Sequence, residues 1–516
     1  MHFTRRRLLS SAGGLVAIGT TGLLAACQTA TAPSAVTASS AGPTSALASG
    51  TAAPATVTPR APAPSAAPGV SATAAPQPQS TPAPAAANAG TAPSPVAAAR
   101  STSPPAAAGK QMYQQDAQHT GRSPYAGPRQ ATLLRRFDTA LPQNLPPEPA
   151  TPRADFQSSS AIGPDGTIYI ANFPGALHAL RDSPTAVDQL EVVWRFHPPN
   201  ASAFHATPAL SSDGATVYLG FAAGGFNGPS KATFYALKAP SSGTEPQVVW
   251  TVDLGAVRVM ASPTVGPDGT IYVANSAGQL FAIAANGSVR WSAQTGPAIK
   301  SAPALALDGT VYHASSDGKL YAVSSQGQVK WTFDFGAHLG PTPLVTSQGT
   351  GPGGGGGGGG SGIGSGASPT VGPDGTVFIG ANNSNMYAVS PDGNLKWLFE
   401  AERELAGIWT TPALSPDGKT LYFGANKGGL YALDAETGIR RWQFQVYGSI
   451  YASSVLDSRG VLYTGTTIEH VYAIDAARGE QIWDYDAHNE VWSAPSIRPD
   501  GTLVIADRGG LIQVLG

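Results

Sequence analysis

Eight glycines recur in one setting and bound what this chain can become: Gly166, Gly214, Gly269, Gly309, Gly375, Gly418, Gly460 and Gly501. Seven follow an aspartate, Gly460 follows Arg459, and the spacings are 48, 55, 40, 66, 43, 42 and 41 residues. A period near forty with a turn signal in every unit marks a solenoid or a propeller. The units read alike. "ASPTV" or "TPALS" is a short strand. "GPDG" is a tight turn, because proline presets φ and Asp-Gly permits a left-handed residue. "TIYVA" alternates as a second strand, "GQLFAI" and "GGLYAL" as a third, and "VRWSA", "VKWTF" and "RRWQF" as a fourth. Four antiparallel strands in about forty residues make one propeller blade. Asp165, Asp268, Asp308, Asp374, Asp417 and Asp500 are then turn residues.

The fourth strands carry one tryptophan each: Trp194, Trp250, Trp291, Trp331, Trp397, Trp442 and Trp483. A large ring at one repeat position is a structural pattern, suited to filling the gap between neighbouring blades. Seven units have the tryptophan but eight have the turn glycine. The eighth, "SAPSIRPDGTLVIADRGGLIQVLG", supplies three strands and ends at Gly516. "ATLLRRFDTA", Ala131 to Ala140, has the look of the missing strand, with Phe137 in the place of the aromatic two beyond the tryptophan. The expected fold is therefore all-β, an eight-bladed propeller over 111–516, its last blade closed by an N-terminal strand. Closure removes the edges that an open sheet would present. Two blades carry insertions, one including "AAGGFNGPSK" and one the glycine run 349–366. The latter formally holds G-x-G-x-x-A at Gly362 to Ala367, but a β-strand follows where a dinucleotide site needs a helix, so it reads as a surface loop.

The first quarter has another character. "TRRRLLS" (Thr4 to Ser10) precedes an apolar stretch from Leu8 to Ala26, the layout of an export signal over 1–26. It resembles a twin-arginine signal, with Arg5 and Arg6 as the pair. "LAAC", Leu24 to Cys27, resembles a lipobox, which implies lipidation of Cys27 and an exported, extracytoplasmic protein anchored to a bacterial membrane. Residues 27–110 are nearly all Ala, Pro, Ser, Thr and Gly, with no aromatic and no apolar period. Nothing there offsets the entropy of folding, so a disordered linker is expected. Cys27 is the one cysteine, which rules out an intrachain disulfide. Net charge is −2 with 12% charged residues, which argues against nucleic acid.

"ALDAETGIRRWQF" (Ala432 to Phe444) and "AIDAARGEQIWDY" (Ala473 to Tyr485) resemble the tryptophan-docking repeat of quinoprotein-type, PQQ-binding-like propellers. "MYQQDAQHTGRSPYAGP", Met112 to Pro128, resembles the lead-in segment of propeller lipoproteins of that kind. The resemblance implies the propeller fold. It leaves function open between PQQ-dependent dehydrogenases, the BamB-type outer-membrane assembly lipoprotein and other exported propellers. In the dehydrogenases it implies PQQ with Ca²⁺ held by Glu, Asn and Asp, commonly beside a vicinal disulfide that this chain cannot form.

One repeat position stands out from its small neighbours. Nine residues before each turn glycine lie Gln157, His205, Met260, Lys300, Gly366, Trp409, Tyr451 and Trp492. The first strand of a blade lines the axis, so these side chains should ring one mouth of the channel. There they would either plug the axis or hold a flat, anionic or aromatic ligand or a partner. Lys300 and His205 are poor candidates for a general base, and no nucleophile triad or His-rich metal spacing occurs. The expectation is a monomeric, non-catalytic binding or scaffold module with a protein or glycan partner and no resident cofactor. A PQQ-binding quinoprotein and a BamB-like assembly factor are the alternatives.

Overall fold

The computed structural model describes residues 112–140, 155–173, 175–198, 201–202, 206–223, 231–297, 299–338, 367–401, 407–426, 429–446 and 448–516. The signal with Arg5 and Arg6, Cys27, the linker, His205, Gly366 and the glycine run 349–366 lie outside them.

Eight antiparallel sheets follow one another, each a meander from a two-residue first strand to a longer fourth. In the third blade these are Thr264–Val265, Ile271–Ala274, Gln279–Ile283 and Val289–Gln294. The first strands of several neighbouring blades approach one another, as Thr370–Val371 does Ala304–Leu305, which puts them innermost around the axis. The second blade carries an extra pairing, Ala201–Ser202 against the end of Thr216–Ala223. The eighth blade is Ser496–Ile497, Leu503–Ala506 and Leu511–Leu515, completed by Leu133–Asp138. Phe137 faces Ile512 in that last pairing and is buried, as the sequence expectation requires.

The tryptophans sit where one repeat rule places them. Each lies opposite an alanine of the third strand: Ala179, Ala236, Ala282, Ala322, Ala388, Ala432 and Ala473. The alanine leaves room for the indole to lean on an aromatic of the second strand, as Trp291 does on Tyr272 (6.0 Å between centroids) and Trp397 on Phe378 (5.8 Å). The indole N–H then donates to a carbonyl of the next blade. Trp250 reaches Ala285 (2.9 Å), Trp291 Ser325 (2.8 Å), Trp331 Pro391 (2.8 Å), Trp397 Ala435 (3.0 Å) and Trp442 Ala476 (3.0 Å). Trp483 has no equivalent turn ahead of it and donates to Pro128 O of the lead-in segment (3.1 Å). Trp194 is buried against Tyr169.

The small residues of the inner strands also have a task. Seven positions before each turn glycine, a backbone N–H donates to the hydroxyl of the next blade. Ser159 donates to Thr207 (3.1 Å), Thr207 to Ser262 (2.8 Å), Ala302 to Ser368 (2.9 Å), Ser368 to Thr411 (3.1 Å), Thr411 to Ser453 (2.9 Å) and Ala494 to Ser159 (2.8 Å). This belt runs in one direction around the channel and is interrupted where Ala302 and Ala494 bring no hydroxyl. It satisfies backbone donors that would otherwise be buried without partners.

Ring closure is reinforced by charge. Asp182 of the first blade meets Arg498 of the eighth (3.0 Å) and Arg135 of the closing strand (3.3 Å). Arg498 is almost fully buried, so losing Asp182 leaves its guanidinium with the longer Asp500 contact alone (3.6 Å). Asp182→Asn is expected to cost about 1–2 kcal/mol, read as a lower urea midpoint at unchanged slope.

Candidate functional site at the channel mouth

The residues nine positions before the turn glycines do not form an even ring. On the sixth, seventh and eighth blades they close into one stack. Tyr451 lies nearly parallel to Trp409 (5.1 Å, 21°) and meets Trp492 edge-on (4.9 Å, 72°). The stack continues into Arg508, whose guanidinium carbon sits 4.2 Å over the Trp492 ring. Arg508 comes from the loop after the second strand of the eighth blade, and two carboxylates fix it: Asp155 at 3.1 Å and Glu490 at 3.2 Å. Burial works against the Arg508 charge, and the hydrogen bonds and charges of Asp155 and Glu490 outweigh it, holding its pKa above the ordinary value. Glu490 also accepts from Trp492 Nε1 (2.8 Å), and Asp155 accepts from Gln157 Nε2 (2.6 Å). Gln157 thereby joins the cluster from the first blade.

The other half of the mouth is different. Met260 is half-buried and Lys300 is exposed. Trp409, Tyr451 and Trp492 are each half-buried, so the stack has an outward side. Among the described residues Trp409 Nε1 meets no hydrogen-bond partner in its sheltered position beside Gly407. Sequence periodicity marks Gln157, Trp409, Tyr451 and Trp492 as equivalents, and the structure brings these four together. Periodicity does not find Arg508, Asp155 and Glu490, which occupy other repeat positions.

The chemistry on offer is stacking and charge-assisted hydrogen bonding. Both mouth carboxylates are committed to one guanidinium, and one face of each indole is taken by a neighbour. Among the described residues no group of three or more His, Cys, Asp or Glu side chains could hold a metal ion. Asp155 and Glu490 thus face the Arg508 guanidinium, and each indole keeps one face free of a described neighbour.

The channel's other end is filled by the lead-in segment. Inner-strand N–H groups of four successive blades donate to its carbonyls: Leu305 to Ala117 (2.7 Å), Val371 to Gln118 (2.9 Å), Leu414 to Thr120 (2.9 Å) and Leu456 to Gly121 (2.8 Å). His119 spans between blades, Nδ1 to Pro369 O (3.0 Å) and Nε2 to Thr264 Oγ1 (3.2 Å). Tyr113 Oη reaches the hydroxyl belt at Thr411 (2.9 Å) and Ser453 (3.0 Å).

Residues 231–351 and 362–455 match the family model described as outer membrane protein assembly factor BamB. No curated protein matches the chain. Among solved structures it is similar to quinohemoprotein alcohol dehydrogenase from Comamonas testosteroni, with 12% identity, TM-score 0.58, and 79% of this chain and 80% of that one covered. It is also similar to a europium-containing methanol dehydrogenase (13%, 0.54, 77% and 89%) and to BamB from Moraxella catarrhalis (15%, 0.48, 75% and 97%). At these identities the structural likeness is one of fold.

Proposed function

We propose that this PQQ-like-repeat β-propeller is a non-catalytic binding module of the cell envelope, exported and held by a lipid on Cys27, that recruits a protein partner at its aromatic mouth. The observation that carries this reading is the Trp409–Tyr451–Trp492–Arg508 stack. Trp, Tyr and Arg dominate binding energy at protein interfaces, and a stack already ordered before binding loses little entropy when a partner arrives. The family model matched by the chain is described as an assembly factor, which favours a protein over a glycan. A quinoprotein role is less well supported, because Asp155 and Glu490 are tied to Arg508 rather than open to a cation.

The test is site-specific photo-cross-linking in cells from Lys300, exposed on the half of the mouth across from the stack. One envelope protein should be captured. Trp409→Ala with Trp492→Ala should weaken that partner at least about thirtyfold, the effect of losing roughly 2 kcal/mol of hot-spot contact. A titration of PQQ with Ca²⁺, followed by tryptophan fluorescence, should give no saturable quenching into the high micromolar range. Saturable quenching abolished by the same two substitutions would replace this reading with a quinone-binding one.

A further inference from the structure

The lead-in segment has the features of a bound peptide. It belongs to no blade, yet it walks around half the ring and takes one inner N–H from each of four consecutive blades. Those donors, Leu305, Val371, Leu414 and Leu456, share one repeat position, four residues before the turn glycine. The contact is thus made to the repeat's own periodicity, through main chain, as in strand-type peptide recognition. The segment returns one main-chain to main-chain bond, Ser123 N to Leu456 O (2.8 Å), Gln118 Nε2 donates to Leu305 O (3.0 Å), and Arg122 pairs with Leu456 in parallel sense. Side chains then set the register. His119 is fully buried and bonded at both nitrogens. Asp116 accepts from the Thr120 N–H (2.9 Å) and from its hydroxyl, which shapes the turn between the two halves of the contact. Gly127 N donates to Asp457 Oδ2 (2.9 Å), and the Arg459 guanidinium donates to Gly127 O, fastening the far end. Beyond Pro128 the chain surfaces, with Arg129 and Gln130 exposed, before the closing strand begins at Leu133.

The geometry points to a peptide-binding site at the base of the channel that this chain fills in cis with residues 112–128. The occupant is a turn-containing peptide, left-handed at His119 and Gly121, that offers four carbonyls to the inner strands and one imidazole-sized side chain to the axis. While the segment is seated, it occupies the end of the channel away from the aromatic mouth. This inference does not rest on the role of the mouth, and either can fail without the other.

Exchange of the segment tests it. A specific protease site is placed between Arg129 and Gln130 in the full chain, the protein is folded, and the exposed junction is cut. A fluorescent synthetic peptide of residues 112–129 is then added, and its uptake is followed by anisotropy and native mass spectrometry. One labelled peptide per cut chain should enter, and none per uncut chain. With His119→Ala in the folded chain, the released segment should exchange about tenfold faster, the effect of losing the two imidazole bonds. A cut chain that loses its segment, keeps its β-sheet circular dichroism and takes up no peptide would overturn the proposal. So would a cut chain that unfolds, because the segment would then be core rather than ligand.

Discussion

Gly438→Val is expected to destabilise the propeller by about 3–5 kcal/mol, read as a fall in urea midpoint. Two costs combine there. The backbone of Gly438 has φ of +73°, where a β-branched residue is strained by about 1–2 kcal/mol. An ideal Cβ would also stand 2.7 Å from Cδ2 of Trp397, the indole that docks the fifth blade onto the sixth. Neither partner has room to withdraw, since Trp397 is buried and hydrogen-bonded to Ala435. The two costs can be separated. Gly243 has φ of +78° and nothing within 4 Å of an ideal Cβ, so Gly243→Ala should lose about 1–2 kcal/mol, from the backbone alone. Gly438→Ala measured with and without Trp397→Ala should show coupling, because the clash vanishes with the indole. Additive effects would mean that the glycine is not placed for the tryptophan.

Acid is expected to remove more stability still. Burial pushes His119 and His313 down to about 4 from the ordinary 6.5. Below pH 6.5 the unfolded chain takes up protons that the native chain refuses until about pH 4. Stability is therefore full above pH 6.5 and falls as the pH drops from 6.5 to 4, by about 3 kcal/mol for each imidazole. Asp116 works in the opposite sense, because burial raises its pKa and its protonation favours the folded state as the pH falls. His313 is the cleaner probe. It lies in the second strand of the fourth blade, stacked on Tyr321 at 5.4 Å and 2°, so phenylalanine can take its place. Urea midpoints at pH 7.5, 5.5 and 4.5 should fall steeply for the parent chain and about half as steeply for His313→Phe. Parallel slopes would mean that this imidazole does not titrate with unfolding.

The architecture was legible because its causes are periodic. The turn glycines, the tryptophans and Phe137 of the closing strand recur at repeat positions, and a period can be read along a chain. The mouth was half legible for the same reason. Trp409, Tyr451 and Trp492 share a position, but periodicity treats all eight blades as equal. Which neighbours lean together is decided across the axis by Arg508, Asp155 and Glu490, and these recur nowhere. The small residues beside the mouth position looked featureless as sequence. Serine, threonine and alanine there differ in whether a neighbouring blade's N–H finds an oxygen, and that difference appears only when two blades are side by side. The lead-in segment was recognisable by resemblance alone. Its main-chain bonds are to residues some 190 to 340 positions away, which leave no pattern in side-chain order.

The closing strand sets a clock on synthesis. Leu133–Asp138 is made before any blade, while its partner Leu511–Leu515 follows 378 residues later. At cellular elongation rates that interval is roughly 20–75 s. Until it ends, the early strand keeps an open hydrogen-bonding edge and Phe137 has no Ile512 to cover it. Blades can form one by one as they emerge, but the circle joins only when a chain has been translated past residue 511. Every stalled or clipped product short of that point displays the same unpaired strand. The seam between the first and last blades thus makes the completeness of the chain visible as a paired or an unpaired edge.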